Sequence, residues 1–115
     1  MTVVLLSNDL TVVSRVDGAV RQMGQSLRGA STESQAVELC EGGDIGMLVI
    51  DLTMATVDVA SLVKQLKAGK GAGTRVVAFG PHVHEQRLEA AREAGCDVVI
   101  SRGQFFSQLA TILNG

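Results

Sequence analysis

The sequence predicts a three-layer α/β/α domain: a five-stranded parallel sheet covered by five helices, some on each face. Three observations predict it. Strand-like and helix-like segments alternate five times along 115 residues, without a linker or a break in composition, and such alternation implies parallel strands joined by right-handed crossovers. The run Gly46-Met47-Leu48-Val49-Ile50 is apolar without period-two alternation, as suits a strand buried on both faces. Val59, Leu62, Val63 and Leu66 fall at i, i+3, i+4 and i+7, one apolar face of a helix.

The elements follow in order. Thr2-Val3-Val4-Leu5-Leu6 is a β-rich run that stops at Ser7-Asn8-Asp9, three residues that all favour helix N-caps. Val13, Val16, Val20 and Met23 then recur at helical spacing, and Gly24 closes that helix. Ser26 to Ala30 takes its strand assignment only from its place in the alternation. Ser31 with Ser34, or Thr32 with Gln35, has the outline of a capping box before Ala36, Val37, Leu39 and Cys40, and Gly42-Gly43 ends the second helix. The central strand runs from Met47 to Asp51, and the helix around Val59–Leu66 follows it. Lys67 to Thr74 is a Gly- and Lys-rich loop. Arg75 to Phe79 is a fourth buried strand, broken by Gly80-Pro81. A helix over His84–Ala94 carries a thin apolar face of Leu88, Ala91 and Ala94 and ends at Gly95. Asp97 to Ser101 is the last strand, and Phe105, Leu109, Ile112 and Leu113 make the face of one last helix over 104–114.

The length fits one domain, 1–115, able to bury roughly two-thirds of its unfolded surface. With 46% hydrophobic and 19% charged residues, disorder is excluded. Aromatics are only Phe79, Phe105 and Phe106, so the core must be aliphatic. A net charge of −2 gives no overall basic footprint for nucleic acid. Cys40 and Cys96 are too few and too far apart for a metal knuckle or a disulfide framework. Met1–Leu6 has no basic n-region, and no apolar run approaches the roughly 20 residues of a membrane helix. The protein is expected to be cytoplasmic.

Asp51 is the residue of chemical interest. An acid at the exit of a buried parallel strand lies at the carboxyl edge of the sheet, where open α/β folds place their ligands. Three other patterns read as ordinary surface. Gly69-x-Gly71-x-Gly73 precedes a strand, whereas a dinucleotide fingerprint follows one. His82-x-His84 has no third metal ligand nearby in sequence. Lys64, Lys67, Lys70 and Arg75 are solubilising charge.

The whole chain resembles the receiver domain of bacterial two-component response regulators. The resemblance rests on the five-fold alternation, on Asp51-Leu52-Thr53-Met54 after the third strand, on Glu93-Ala94-Gly95-Cys96-Asp97 before the fifth, and on Ser101-Arg102 after it. It implies a flavodoxin-like, receiver-type fold with strand order 2-1-3-4-5. It also implies that Asp51 stands where receivers accept a phosphoryl group from a histidine kinase. A carboxylate attacks there, aided by a magnesium ion held by an acidic pair, the acceptor Asp and a backbone carbonyl two residues beyond it.

The chain departs from that pattern at most chemical positions. The acidic pair is Ser7-Asn8 when counted back from Gly24; a one-residue slip makes it Asn8-Asp9. The metal ligands implied are thus Asn8, Asp9, Asp51 and the Thr53 carbonyl, a set short of the anionic oxygens magnesium favours. The switch hydroxyl of the fourth strand is Gly80, and its aromatic partner on the fifth is Val99. The lysine after the fifth strand is Arg102, able to pair with Asp51 or with Asp9. Gly103 replaces the proline that follows that lysine. Ala55-Thr56-Val57-Asp58-Val59 keeps only the Asp of the usual Pro-Gly-x-Asp-Gly loop.

These departures imply a degenerate receiver, a pseudo-receiver: a signalling module of two-component or phosphorelay transduction acting by protein–protein contact, and not an enzyme. No cofactor is implied, and magnesium only for an active receiver. The partner is a protein or a second copy docked on the face made by helix 84–94, strand 97–101 and helix 104–114, where Ala90, Ala91 and Ala94 allow close approach. A histidine kinase is a further candidate partner; a membrane or direct nucleic-acid contact is not implied. The end of the chain just after the last helical face fits one domain of a longer regulator. Two alternatives stay open. One is an active phospho-accepting receiver with unusual magnesium ligation. The other is a small flavodoxin-like enzyme or cofactor-binding protein. Against the latter stand the lack of an aromatic pair for a flavin ring, of a Ser/Thr-rich phosphate loop after the first strand, and of a placed nucleophilic cysteine.

Overall fold

Five parallel strands pair in the order 2-1-3-4-5, as the alternation and the resemblance together predict. The computed structural model describes residues 1–114. The strands are β1 (Thr2–Leu6), β2 (Ser26–Ala30), β3 (Ile45–Asp51), β4 (Arg75–Gly80) and β5 (Val98–Ser101). The helices are α1 (Leu10–Gln22), α2 (Glu33–Gly42), α3 (Val59–Ala68), α4 (Glu85–Ala94), α5 (Arg102–Ser107) and α6 (Leu109–Asn114), with a 3₁₀ turn at Lys70–Gly73.

The apolar runs explain the layering. In β1, β3 and β4 successive side chains point to opposite faces, and both sets are buried. Val4, Leu6, Leu48, Ile50, Val76 and Ala78 pack against α2, α3 and α4. Val3, Leu5, Met47, Val49, Val77 and Phe79 pack against α1, α5 and α6. The edge strands β2 and β5 are covered less completely. All three phenylalanines form one cluster in the second layer. The Phe79 and Phe105 rings stack at 4.2 Å, and Phe106 meets each edge-on.

Caps set the helix ends. Asp9 caps α1 by accepting from the Thr11 and Val12 amides at 2.9 and 3.4 Å. Of the two boxes open at α2, Thr32 with Gln35 is formed by half: Thr32 caps the helix by accepting from the Gln35 amide, but the Gln35 side chain accepts from the Ser31 amide, one residue before the cap. Gly95 ends α4 at φ 97°, a conformation that favours glycine.

The structure corrects several element bounds. The last apolar face is two helices meeting at Gln108 and not one, so the chain has six α-helices among the described residues. The first of the pair starts at Arg102, because Ser101 and Gln104 form a reciprocal capping box. Gly80 continues β4 instead of breaking it. β5 begins at Val98, since Asp97 is drawn to the start of β4. Its amide donates to the Val76 carbonyl and its carboxylate accepts from the Val76 amide, both at 2.8 Å. The expected loop 67–74 holds the end of α3 and the 3₁₀ turn, with Gly71 packed closely on Cys40 and Leu66.

Both cysteines are free, Cys40 buried and Cys96 half-buried. Burial, reinforced by Glu41 beside Cys40 and Asp97 beside Cys96, pushes each thiol up to about 11.

Two outcomes follow for stability. Phe105→Ala removes the buried half of the aromatic stack and is expected to cost about 3–5 kcal/mol in urea denaturation. The Thr11 amide, then the Val12 amide and Arg102, hold the Asp9 carboxyl below its ordinary value of 3.8, against a smaller upward effect of desolvation. A depressed folded value contributes stability above the ordinary value and loses it as pH falls through the folded one. Asp9→Asn keeps a capping oxygen and is expected to flatten that acid limb, read from urea midpoints between about pH 6 and about pH 3.

Candidate functional site

Register builds the site. β1 pairs with β3 so that Leu6 lies opposite Ile50, which sets Ser7 beside Asp51 one step on. β3 pairs with β4 so that Asp51 lies opposite Phe79, and Gly80 of β4 lies opposite Ser101 of β5. Ser7, Asp51, Gly80 and the start of α5 therefore gather at the carboxyl edge of the sheet. This is the register counted back from Gly24, with Ser7 and not Asp9 next to Asp51.

Asp51 is fully buried, and both carboxylate oxygens are occupied by protein donors. Ser7 Oγ donates to Oδ2 at 2.7 Å. The Thr53 amide and hydroxyl donate to Oδ1 at 3.0 and 2.6 Å. Ser7 Oγ in turn accepts from the Asp9 amide at 3.1 Å, so Asp9, Ser7 and Asp51 form one hydrogen-bonded chain. Buried carboxylates need such donors in place of water.

Arg102 does not hold Asp51. It pairs with Asp9 at 3.5 Å, with both side chains part-exposed, and its guanidinium also lies 5.6 Å from the centre of the Phe106 ring. Of the two partners open to Arg102, geometry selects Asp9, the part-exposed cap of α1, while Asp51 is fully buried and bonded to Ser7 and Thr53. An exposed pair of this kind contributes little by itself. No ion pair involves Asp51 among the described residues.

The remaining positions are closed by packing. A Cβ on Gly80 would lie 3.2 Å from Leu52 Cβ, so Leu52 covers the place of the missing switch hydroxyl. Leu52 is itself held: its amide donates to the Phe79 carbonyl, and its carbonyl accepts from Arg87 Nη1 at 2.5 Å. The same nitrogen lies 3.4 Å from the Met54 carbonyl. Val99 is half-buried and packs into the layer of α2, α3 and α4. Nothing in the linear sequence marks Arg87, whose partners lie on a different βα unit.

The donor set does not fit a magnesium ion. Ser7 is neutral and Asn8 is exposed, outside the hydrogen-bonded chain. Asp51 has its oxygens engaged by hydroxyl and amide donors, and Asp9 uses its own on the α1 cap and Arg102. No group of three or more His, Cys, Asp or Glu able to hold a metal occurs among the described residues. The sequence patterns read as surface stay apart: His82 is exposed on its turn, His84 begins α4, and Lys67 donates to the Gly95 carbonyl at 3.3 Å.

No family model and no curated protein matches the chain. Solved structures do. The receiver domain of sensor histidine kinase PA1611 from Pseudomonas aeruginosa PAO1, with a magnesium ion coordinated in its active-site cleft, superposes with a TM-score of 0.84 at 17% identity, covering 98% of this chain and 93% of that one. A response regulator from Thermotoga maritima gives 0.80 at 16% identity over 98% and 93%. The beryllofluoride-activated NtrC4 receiver domain dimer gives 0.76 at 14% over 96% and 93%. At these identities the likeness establishes the fold: this chain folds as a response-regulator receiver domain does.

Proposed function

We propose that the protein is a receiver-like signalling module of two-component or phosphorelay transduction that acts by protein–protein contact and not by phosphoryl transfer at Asp51. The observation that carries the reading is the closed state of Asp51. Its carboxylate is fully buried, and both of its oxygens accept hydrogen bonds from Ser7 and Thr53. The reading makes the module a non-enzymatic cytoplasmic one. No helix of the described residues is long and apolar enough to cross a membrane.

The proposed contact surface is the α4–β5–α5 face. β5 is an edge strand whose four residues are all part-exposed, and Ala90 on α4 offers a small exposed contact. The NtrC4 receiver forms a dimer, and a second copy or another protein is the partner proposed here. A second reading is favoured by the presence of Asp51 and Thr53 themselves. In it, Asp51 and the Thr53 carbonyl would help hold a magnesium ion once the Ser7 bond opens, and the Asp51 carboxylate would take a phosphoryl group from the phosphohistidine of a histidine kinase, whose imidazole leaves.

Magnesium with beryllofluoride decides between the two. The wild type is expected to show no amide shift in NMR on adding both, while Ser7→Asp/Asn8→Asp/Gly80→Thr gains shifts around Asp51. Saturable shifts in the wild type would establish the active receiver instead. Ser7→Ala leaves the buried Asp51 carboxylate short of one donor and is expected to lower stability by about 1.5–3 kcal/mol, the range for hydrogen bonds to charged groups, read from urea midpoints. An unchanged midpoint would mean that Asp51 is compensated from elsewhere and is not locked by Ser7.

A further inference from the structure

We propose that the groove between α1, the β4–α4 turn and α5 binds a small phosphate-bearing molecule through Arg15 and Arg102. This groove, of about 620 Å³, is lined by Arg15, Pro81, His82, Arg102, Gly103 and Phe106, with Ser107 at its end. It takes up no residue that closes Asp51, so the proposal stands whether or not Asp51 is ever phosphorylated.

Charge comes first. The chain as a whole is net negative, yet this lining carries two guanidinium groups and an imidazole and no acid. Of the acids around it, Asp9 meets Arg102, with its other oxygen committed to the α1 cap, while Glu85 and Glu89 lie beyond His82 in the neighbouring pocket. Arg15 forms no ion pair among the described residues.

Pre-organisation comes second. The Arg15 guanidinium lies over the Phe106 ring at 3.9 Å, and that of Arg102 lies 5.6 Å from the same ring centre. A guanidinium held against an aromatic face keeps its N–H donors free at its edge. Phe106 is fixed in turn by its edge contacts with Phe79 and Phe105. Two like charges thus lie against one ring and line one groove, and an anion bound in that groove relieves their mutual repulsion. Phosphate suits this arrangement because a guanidinium meets it with two parallel hydrogen bonds. The groove is larger than one phosphate needs and lies in the range of small-molecule sites.

Position comes third. Arg102 faces Asp9 and Phe106, not Asp51, so the bound anion is separate from any phosphoryl group on Asp51. The Asp9 amide donates to Ser7, and Ser7 to Asp51. A ligand that takes over Arg102 therefore releases the side chain of Asp9, the residue whose backbone amide bonds Ser7.

The test is an NMR titration of the whole chain with pyrophosphate in low-salt buffer without divalent cations, with inorganic phosphate and ATP as further arms and sulfate at matched ionic strength as control. Saturable shifts of Arg15, Arg102, His82 and Phe106 are expected with pyrophosphate or ATP and not with sulfate. Tighter binding of ATP than of pyrophosphate assigns the site to nucleotides; equal binding assigns it to free polyphosphate. Arg15→Gln is expected to weaken binding about tenfold, the loss of one charge-assisted contact, and Arg15→Lys to recover part of it, with unchanged far-UV circular dichroism. The proposal is overturned by non-saturable shifts, by equal shifts with sulfate, or by undiminished affinity in Arg15→Gln.

Discussion

A carboxylate removed from water must find donors for its lone pairs, and the carboxyl edge of this sheet is arranged around that requirement. Ser7 and Thr53 supply three donors to Asp51. They do so without adding charge. An acidic pair in the place of Ser7-Asn8 would set like charges against Asp51 and call for a cation between them. A hydroxyl reverses the sign of the interaction, because it donates where a carboxylate would repel. Both oxygens of Asp51 accept hydrogen bonds from protein donors.

The surroundings reinforce that closure. Leu52 fills the space over Gly80, and Arg87 from α4 ties down the carbonyls of Leu52 and Met54. A receiver that switches needs a loop with two positions and a side chain that moves between them. Here the loop after β3 is anchored on one side by the sheet and on the other by α4, and no hydroxyl is present at Gly80 to pull it over.

Most of the fold was legible because its signals are local. The doubly buried runs of β1, β3 and β4 and the apolar face of α3 are periodicities of a few residues, and alternation then dictates a parallel sheet. Gly24 gave the register that sets Ser7 beside Asp51. What stayed hidden depends on pairings between distant units. Arg102 had two acids within possible reach, and only the placement of its guanidinium beside the α1 cap chooses Asp9. Arg87 carries no motif, since its partners are backbone carbonyls of another βα unit. The division at Gln108 leaves the apolar face of 104–114 uninterrupted, so periodicity cannot reveal it. β5 is shortened by the side chain of Asp97, a local competition that strand propensity does not register.

The two thiols lie in the layer of α2, α3 and α4, away from this edge. With each raised to about 11, only about one molecule in ten thousand carries a given thiolate at neutral pH. Cys40 is buried, so an alkylating reagent reaches it only as α2 loosens, and its labelling is a clock for local unfolding there; Cys96, half-buried at the α4–β5 corner, is partly open to reagent in the folded chain.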